Sequence, residues 1–190
     1  MSNLVLWVIL PLSVLWLLSE TGIALVTYSP RQAKEHDRFS FPIMVGTTMT
    51  MVPLGIFLAV RGIGAFPFQH PLFPVLGMAL MLAGIAFRWG AILTLKQYFN
   101  IHIGIDEDHQ LIQHGLYHWI RHPSYTGSLV CFFGMGLAYM NGCSLFLMFV
   151  PPLLALVNRM NVEEEVLLKV FGEAYRDYMQ RTRRLVPGLY

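Results

Sequence analysis

Two groups of residues in this chain have the types and spacing to do chemistry. Five of its seven histidines fall between His102 and His122. The end of that stretch, from Gly115 to Gly127, sets Tyr117, His118, Trp119, Arg121, His122, Pro123 and Tyr125 between apolar runs. The second group is Arg159 with Glu163, Glu164 and Glu165. His114, His118 and His122 are four apart, which on a helix would face one way and suggest a metal site. Gly115 weakens a helix at its start, and Pro123 pushes His122 out of the helical region. No cysteine or carboxylate between His114 and His122 completes a ligand set, so no metal is expected.

Arg121-His122-Pro123 instead has the character of a rigid junction. Proline is tolerated in the first turn of a helix, where its missing N–H costs nothing. A helix starting at Pro123 would present free N–H groups and partial positive charge at its end. That suits a carboxylate or ribose hydroxyls, with Arg121, His122 and Tyr125 on the same rim. Tyr117, Trp119, Tyr125 and Arg121 fit an interfacial anchoring belt equally well. The three glutamates could mark a helix N-terminus. They also offer fixed negative charge, so a small cation between the two groups would be held from both sides.

The elements that position these groups follow from hydropathy. The chain has 190 residues, 55% hydrophobic and only 13% charged, with mean hydropathy +0.54. A soluble domain carries about 25% charged residues, so a multi-pass membrane protein is expected. Net charge is +2, with no basic stripe, which argues against a nucleic-acid partner. Cys131 and Cys143 lack metal or redox spacing and read as small apolar side chains. Crossing the hydrocarbon core takes about 20 apolar residues. Leu4 to Tyr28, Phe41 to Val60 and Pro71 to Leu95 meet this, and the first lacks the basic start of a signal peptide. Two shorter apolar runs, 125–140 and 144–157, flank a turn at Asn141-Gly142-Cys143 and predict a helical hairpin over 124–157.

The expected fold is therefore all-α and polytopic, with about five transmembrane helices. Residues 1–95 form a three-span region, and residues 96–190 carry the polar groups on a loop, hairpin and tail. Arg31, Lys34 and Arg38, then Lys96 and Arg121, then six cations of the tail put those segments in the cytosol by the positive-inside rule. Leu167, Val170, Phe171, Ala174, Tyr175 and Tyr178 recur at helical spacing and predict one amphipathic interfacial helix. Glu20 and Arg88 lie inside spans at similar depth. Such charges are costly unless paired, so a Glu20–Arg88 ion pair is expected.

These residues resemble a known family. The pattern H-x-L-I-x-x-G-L-Y-x-x-x-R-H-P-S-Y-T-G from His109, then R-x-x-x-E-E from Arg159 and F-G-x-x-Y-x-x-Y from Phe171, is similar to the isoprenylcysteine carboxyl methyltransferases. Phospholipid N-methyltransferases are among their relatives. The resemblance covers the second half of the chain. It implies S-adenosylmethionine as methyl donor and S-adenosylhomocysteine as product, bound at the cytosolic side between the loop and the tail. A Gly-rich βαβ fingerprint is absent. The implied donor contacts are His109, Gln110, Leu111 and Ile112, then Tyr117, His122, Pro123, Ser124 and Tyr125, and Glu163 with Glu164. His102 is a further candidate. Gly134 and Gly136 match a glycine pair of the phospholipid enzymes, or serve close helix packing.

The chemistry agrees with that resemblance. A donor with a sulfonium and an ammonium suits Glu163 or Glu164 and the aromatic faces of Tyr125 or Tyr117. Arg159, one turn before Glu163, would bind the acceptor's carboxylate. The expected reaction is methyl transfer to the carboxylate of a lipophilic acceptor such as a prenylated cysteine. A phospholipid N-methyltransferase, needing a base such as His122, is one alternative. A non-enzymatic His-rich metal-binding membrane protein is the other. The expected setting is a prokaryotic cell membrane, with the bilayer and a lipophilic substrate as partners and the oligomeric state open.

Overall fold

The computed structural model describes residues 3–27, 39–68, 70–95 and 111–190. Among these residues six α-helices run in order: α1 (Asn3–Thr27), α2 (Ser40–Val60), α3 (Leu72–Leu95), α4 (Pro123–Ala138), α5 (Gly142–Phe171) and α6 (Glu173–Arg181). A 3-10 turn, Gly115–His118, precedes α4. No strand occurs among the described residues. Apolar surroundings offer the backbone no water to bond, so each apolar run satisfies its own N–H and C=O groups as a helix. This outweighs the prolines inside α1, α2 and α5, at Pro11, Pro53, Pro151 and Pro152.

α2, α3 and α5 are each long and apolar enough to cross a membrane among the described residues. In α1, the stretch Trp7–Ile23 is apolar but shorter, and α4 has 16 residues. Large side chains such as Trp7, Leu15, Leu82 and Leu154 point outward and stay exposed. In water such surfaces would aggregate; in lipid they need no cover.

α3 packs along α4, α2 along α5, and α4 against α5. Glycines bring α3 and α4 nearly backbone to backbone. A Cβ on Gly134 would lie 2.6 Å from the Gly77 carbonyl, and one on Gly84 2.6 Å from the Gly127 carbonyl. A Cβ on Gly136 would meet the Leu145 Cα at 2.5 Å. Helix packing thus accounts for both Gly134 and Gly136.

The Glu20–Arg88 pair forms as expected. Arg88 donates from Nε to Glu20 Oε1 at 2.6 Å and from Nη2 to Oε2 at 2.7 Å. Its Nη1 also donates to Ser124 Oγ at 2.7 Å. The pair therefore ties α1 and α3 to the first turn of α4, beside the polar junction.

Two expectations about the second half are corrected. The second hairpin helix does not close at residue 157 but continues to Phe171. The glutamates are consequently in mid-helix and do not mark a helix start. The helix persists beyond the apolar run because its exposed face is satisfied by pairs such as Lys169 with Glu165, 2.7 Å apart. The tail is likewise not one amphipathic helix. Gly172, at φ +51°, separates Phe171 from α6. Leu167, Val170 and Phe171 belong to α5, whereas Tyr175 and Tyr178 are the buried face of α6.

Candidate active site

Pro123 sets the first wall. It occupies the first turn of α4, and His122 before it takes φ −122°, ψ 58°, outside the helical region. The three histidines spaced by four therefore share no helix face, because Gly115–His118 is a separate turn. Gly115 itself has φ +62°, which only glycine takes without strain. No group of three metal-ligating side chains occurs among the described residues.

The second wall is α5, which carries Arg159, Glu163 and Glu164 out of the apolar bundle on successive turns. His122 joins the walls. Its Nε2 lies 3.1 Å from Glu164 Oε1, and its Nδ1 lies 3.8 Å from Glu163 Oε2. The ring stacks on Tyr125, with centroids 5.4 Å apart.

Glu163 and Glu164, adjacent in sequence, have different surroundings. Glu164 is 3% exposed, and both its oxygens are engaged by the chain itself. Arg121 Nε donates to Oε1 at 2.8 Å. Arg184 donates to Oε2 from Nη2 at 2.6 Å and from Nε at 3.1 Å. The Glu163 side chain is 30% exposed and accepts from the Tyr125 hydroxyl at 2.8 Å. Its carboxylate thus retains room for a cationic ligand.

Arg159 is 2% exposed. Its Nη1 donates to Ser40 Oγ at 3.0 Å, and its guanidinium sits 5.6 Å from the Phe41 ring centroid. The start of α2 thereby fixes a cation one turn below Glu163. Sequence reasoning missed this contribution, since serine and phenylalanine at a span's edge carry no signal.

It also missed the tail clip. Residues 182–185 run back along the junction, with Arg121 N bonded to Arg183 O at 2.7 Å and His122 N to Arg184 O at 3.0 Å. Arg121 Nη1 donates to Thr182 O, Tyr178 Oη to Tyr117 O, and Thr126 Oγ1 to Leu185 O. Burial pushes the phenols of Tyr117, Tyr175 and Tyr178 up, reinforced at Tyr117 by Glu163 and at Tyr175 by Glu164 and Glu163. All three remain neutral donors at ordinary pH. The Tyr175 hydroxyl is fully buried with no hydrogen-bond partner among the described residues. A buried hydroxyl left so beside two glutamates is suited to a polar ligand.

Of the residues expected to hold a donor, Tyr117, His122, Pro123, Ser124, Tyr125, Glu163 and Glu164 come together around this junction. Ser124 turns its Oγ to Arg88. Leu111 and Ile112 are half-buried. His109, Gln110 and His102 lie outside the described residues, as do the loop cations Arg31, Lys34, Arg38 and Lys96.

With this geometry, comparison with known proteins is informative. A model of the isoprenylcysteine carboxyl methyltransferase (ICMT) family matches residues 75–169, which include both walls. A protein-S-isoprenylcysteine O-methyltransferase of Tribolium castaneum is 32% identical over 114 residues, 59% of this chain and 41% of that protein. Protein-S-isoprenylcysteine O-methyltransferase B of Arabidopsis thaliana is 32% identical over 121 residues, 63% of this chain and 61% of its own. Among solved structures, the eukaryotic intramembrane Ras methyltransferase ICMT superposes with TM-score 0.58 at 26% identity. That match covers 82% of this chain and 54% of the solved one. The chain thus spans less than two thirds of the length of each of these relatives.

Proposed function

The chain belongs to the isoprenylcysteine carboxyl methyltransferase family, and from that premise we propose that it transfers a methyl group from S-adenosylmethionine to the carboxylate of a lipophilic acceptor such as a prenylated cysteine. One observation carries the reading: the half-open Glu163 carboxylate, held by Tyr125 beside His122 and one turn from the buried Arg159.

The residues present fit such a donor. When bound, S-adenosylmethionine supplies a methyl group activated by a neighbouring sulfonium. Glu163 would hold its ammonium, and the Tyr125 and His122 rings would offer aromatic faces to its cationic centre. Tyr117 and Tyr175 would close the site from the loop and α6, and Leu111 and Ile112 would supply backbone groups. Glu164 acts indirectly. With both oxygens engaged, it fixes His122, Arg121 and Arg184, and so serves as a positioning residue. Pro123 and Ser124 set the start of α4.

Arg159 receives the acceptor's carboxylate, with Ser40 and Phe41 holding its guanidinium in place. A carboxylate is already ionised near neutral pH, so the reaction requires no general base. Holding nucleophile and methyl carbon in line supplies most of the rate gain. Excluding water leaves the carboxylate less solvated and closer to attack. The acceptor's apolar part enters between helices from the bilayer, and the donor from the aqueous side.

The same reading makes α1 to α5 five membrane crossings, with residues 1–95 as a membrane region and 96–190 as the catalytic half. The cations of the loop and tail support a cytosolic site. The test is methyl transfer by the full chain to a prenylcysteine analogue and, separately, to phosphatidylethanolamine. A base-labile methyl product on the first is expected. A base-stable product on the amine alone would overturn the carboxyl reading in favour of N-methylation, with His122 as the base.

A further inference from the structure

Outside this site, the loop and the tail enclose a second, open cleft of about 540 Å³. Gln113, His118, Trp119, Gln180, Arg181 and Arg183 line it, with no carboxylate among its lining residues. Glu163, His122 and Tyr125 are not part of it. Among the described residues its positive charge has no acidic side-chain partner. Arg181 donates from Nε to the backbone carbonyl of Asp177 at 3.2 Å and from Nη2 to Gln113 at 3.4 Å. The Arg183 side chain has no partner among the described residues. The buried Glu164 is already matched to Arg121 and Arg184.

Two further features indicate what such a cleft takes. Trp119 on its rim is 65% exposed and lies against His118, with ring centroids 5.1 Å apart. An exposed indole four residues before an apolar helix is a headgroup-level side chain. The bond from Thr126 Oγ1 to Leu185 O pins the tail to the first turn of α4, which holds the cleft beside the start of that helix. Paired guanidiniums with amide donors suit phosphate oxygens.

We propose that this cleft binds the phosphate of an anionic phospholipid headgroup, with Arg181 and Arg183 as the cations and Trp119 beside the glycerol and upper acyl chain. The site is separate from the methyl-transfer site and does not depend on that assignment. It would seat the tail on the bilayer and couple the closed clip to anionic lipid.

The test uses the full chain in neutral detergent with acyl-brominated phosphatidylglycerol or phosphatidylcholine as quencher. The Trp119 signal is isolated by difference from Trp119→Phe. The expected result is preferential quenching by phosphatidylglycerol. Arg181→Gln with Arg183→Gln should weaken that preference by on the order of tenfold. Arg176→Gln, exposed on the same helix but outside the cleft, should keep it. Equal quenching by the two lipids, or an unchanged preference in the double variant, would overturn the proposal. So would competition by soluble glycerol phosphate as strong as by the lipid, which would mark a soluble-phosphate site. Displacement of the lipid by S-adenosylmethionine would also overturn it, by assigning the cleft to the donor.

Discussion

Replacing Glu164 with alanine should lower stability far more than neutralising its neighbour Glu163. Glu164 accepts from Arg121, His122 and Arg184 while 3% exposed. Removing one partner of a buried ion pair costs about 3–5 kcal/mol. The lower end applies. Arg121 keeps the carbonyls of Met179 and Thr182 as acceptors, and the Arg184 side chain is 24% exposed and can turn to water. At roughly 2–4 °C per kcal/mol for a chain of this size, about 3 kcal/mol lowers Tm by about 6–12 °C. Glu164→Gln keeps the shape but offers an N–H toward a donor, and should lose roughly half as much as the alanine variant. Glu163→Gln, with a single bond to Tyr125 and an open edge, should stay within about 2 °C of the parent, as surface changes do. The assay is thermal unfolding of the purified chain in one detergent, followed by tryptophan fluorescence. A Glu164→Ala protein melting with the parent, or a Glu163→Gln protein melting as low as Glu164→Ala, would refute the assignment of positioning to one and binding to the other.

Charge reversal tests the pair inside the membrane region. Glu20→Arg and Arg88→Glu should each destabilise strongly, and the double variant should recover only part of the loss. Ser124 Oγ can donate to a new carboxylate at position 88, but the Ser124 carbonyl, which accepts from Arg88 Nη1 at 3.3 Å, cannot. Thermal unfolding reads this, and a double variant no better than either single would refute the pairing. Arg159→Lys keeps the charge but loses the planar fork. Its KM for a prenylcysteine analogue should rise on the order of tenfold, while its affinity for the donor stays near the parent's; steady-state kinetics with each substrate varied would check this.

How much was legible in the sequence depended on how local the cause was. Proline fixes its own φ and restricts the residue before it, so the junction at His122-Pro123 could be read directly. Glu20 and Arg88 were legible because a lone charge in an apolar run demands a partner at its own depth. The length of α5 was not legible. Charged residues after 157 mark where a helix leaves lipid, but a helix with its own ion pairs continues in water, and Gly172 is what ends it. The separate environments of Glu163 and Glu164 were invisible for a similar reason. Arg184, which occupies Glu164, returns from the tail through a backbone clip, and no periodicity encodes that return.

The central claim is that Glu163 is the open carboxylate of a donor site built from the junction and α5. Equilibrium binding of radiolabelled S-adenosylmethionine to the full chain and to Glu163→Ala tests it most directly. Saturable binding by the parent is predicted. Loss of one charged hydrogen bond, about 1.5–3 kcal/mol, should weaken the variant roughly 10- to 100-fold. An absence of binding to the parent, or equal affinity in Glu163→Ala, would contradict the account.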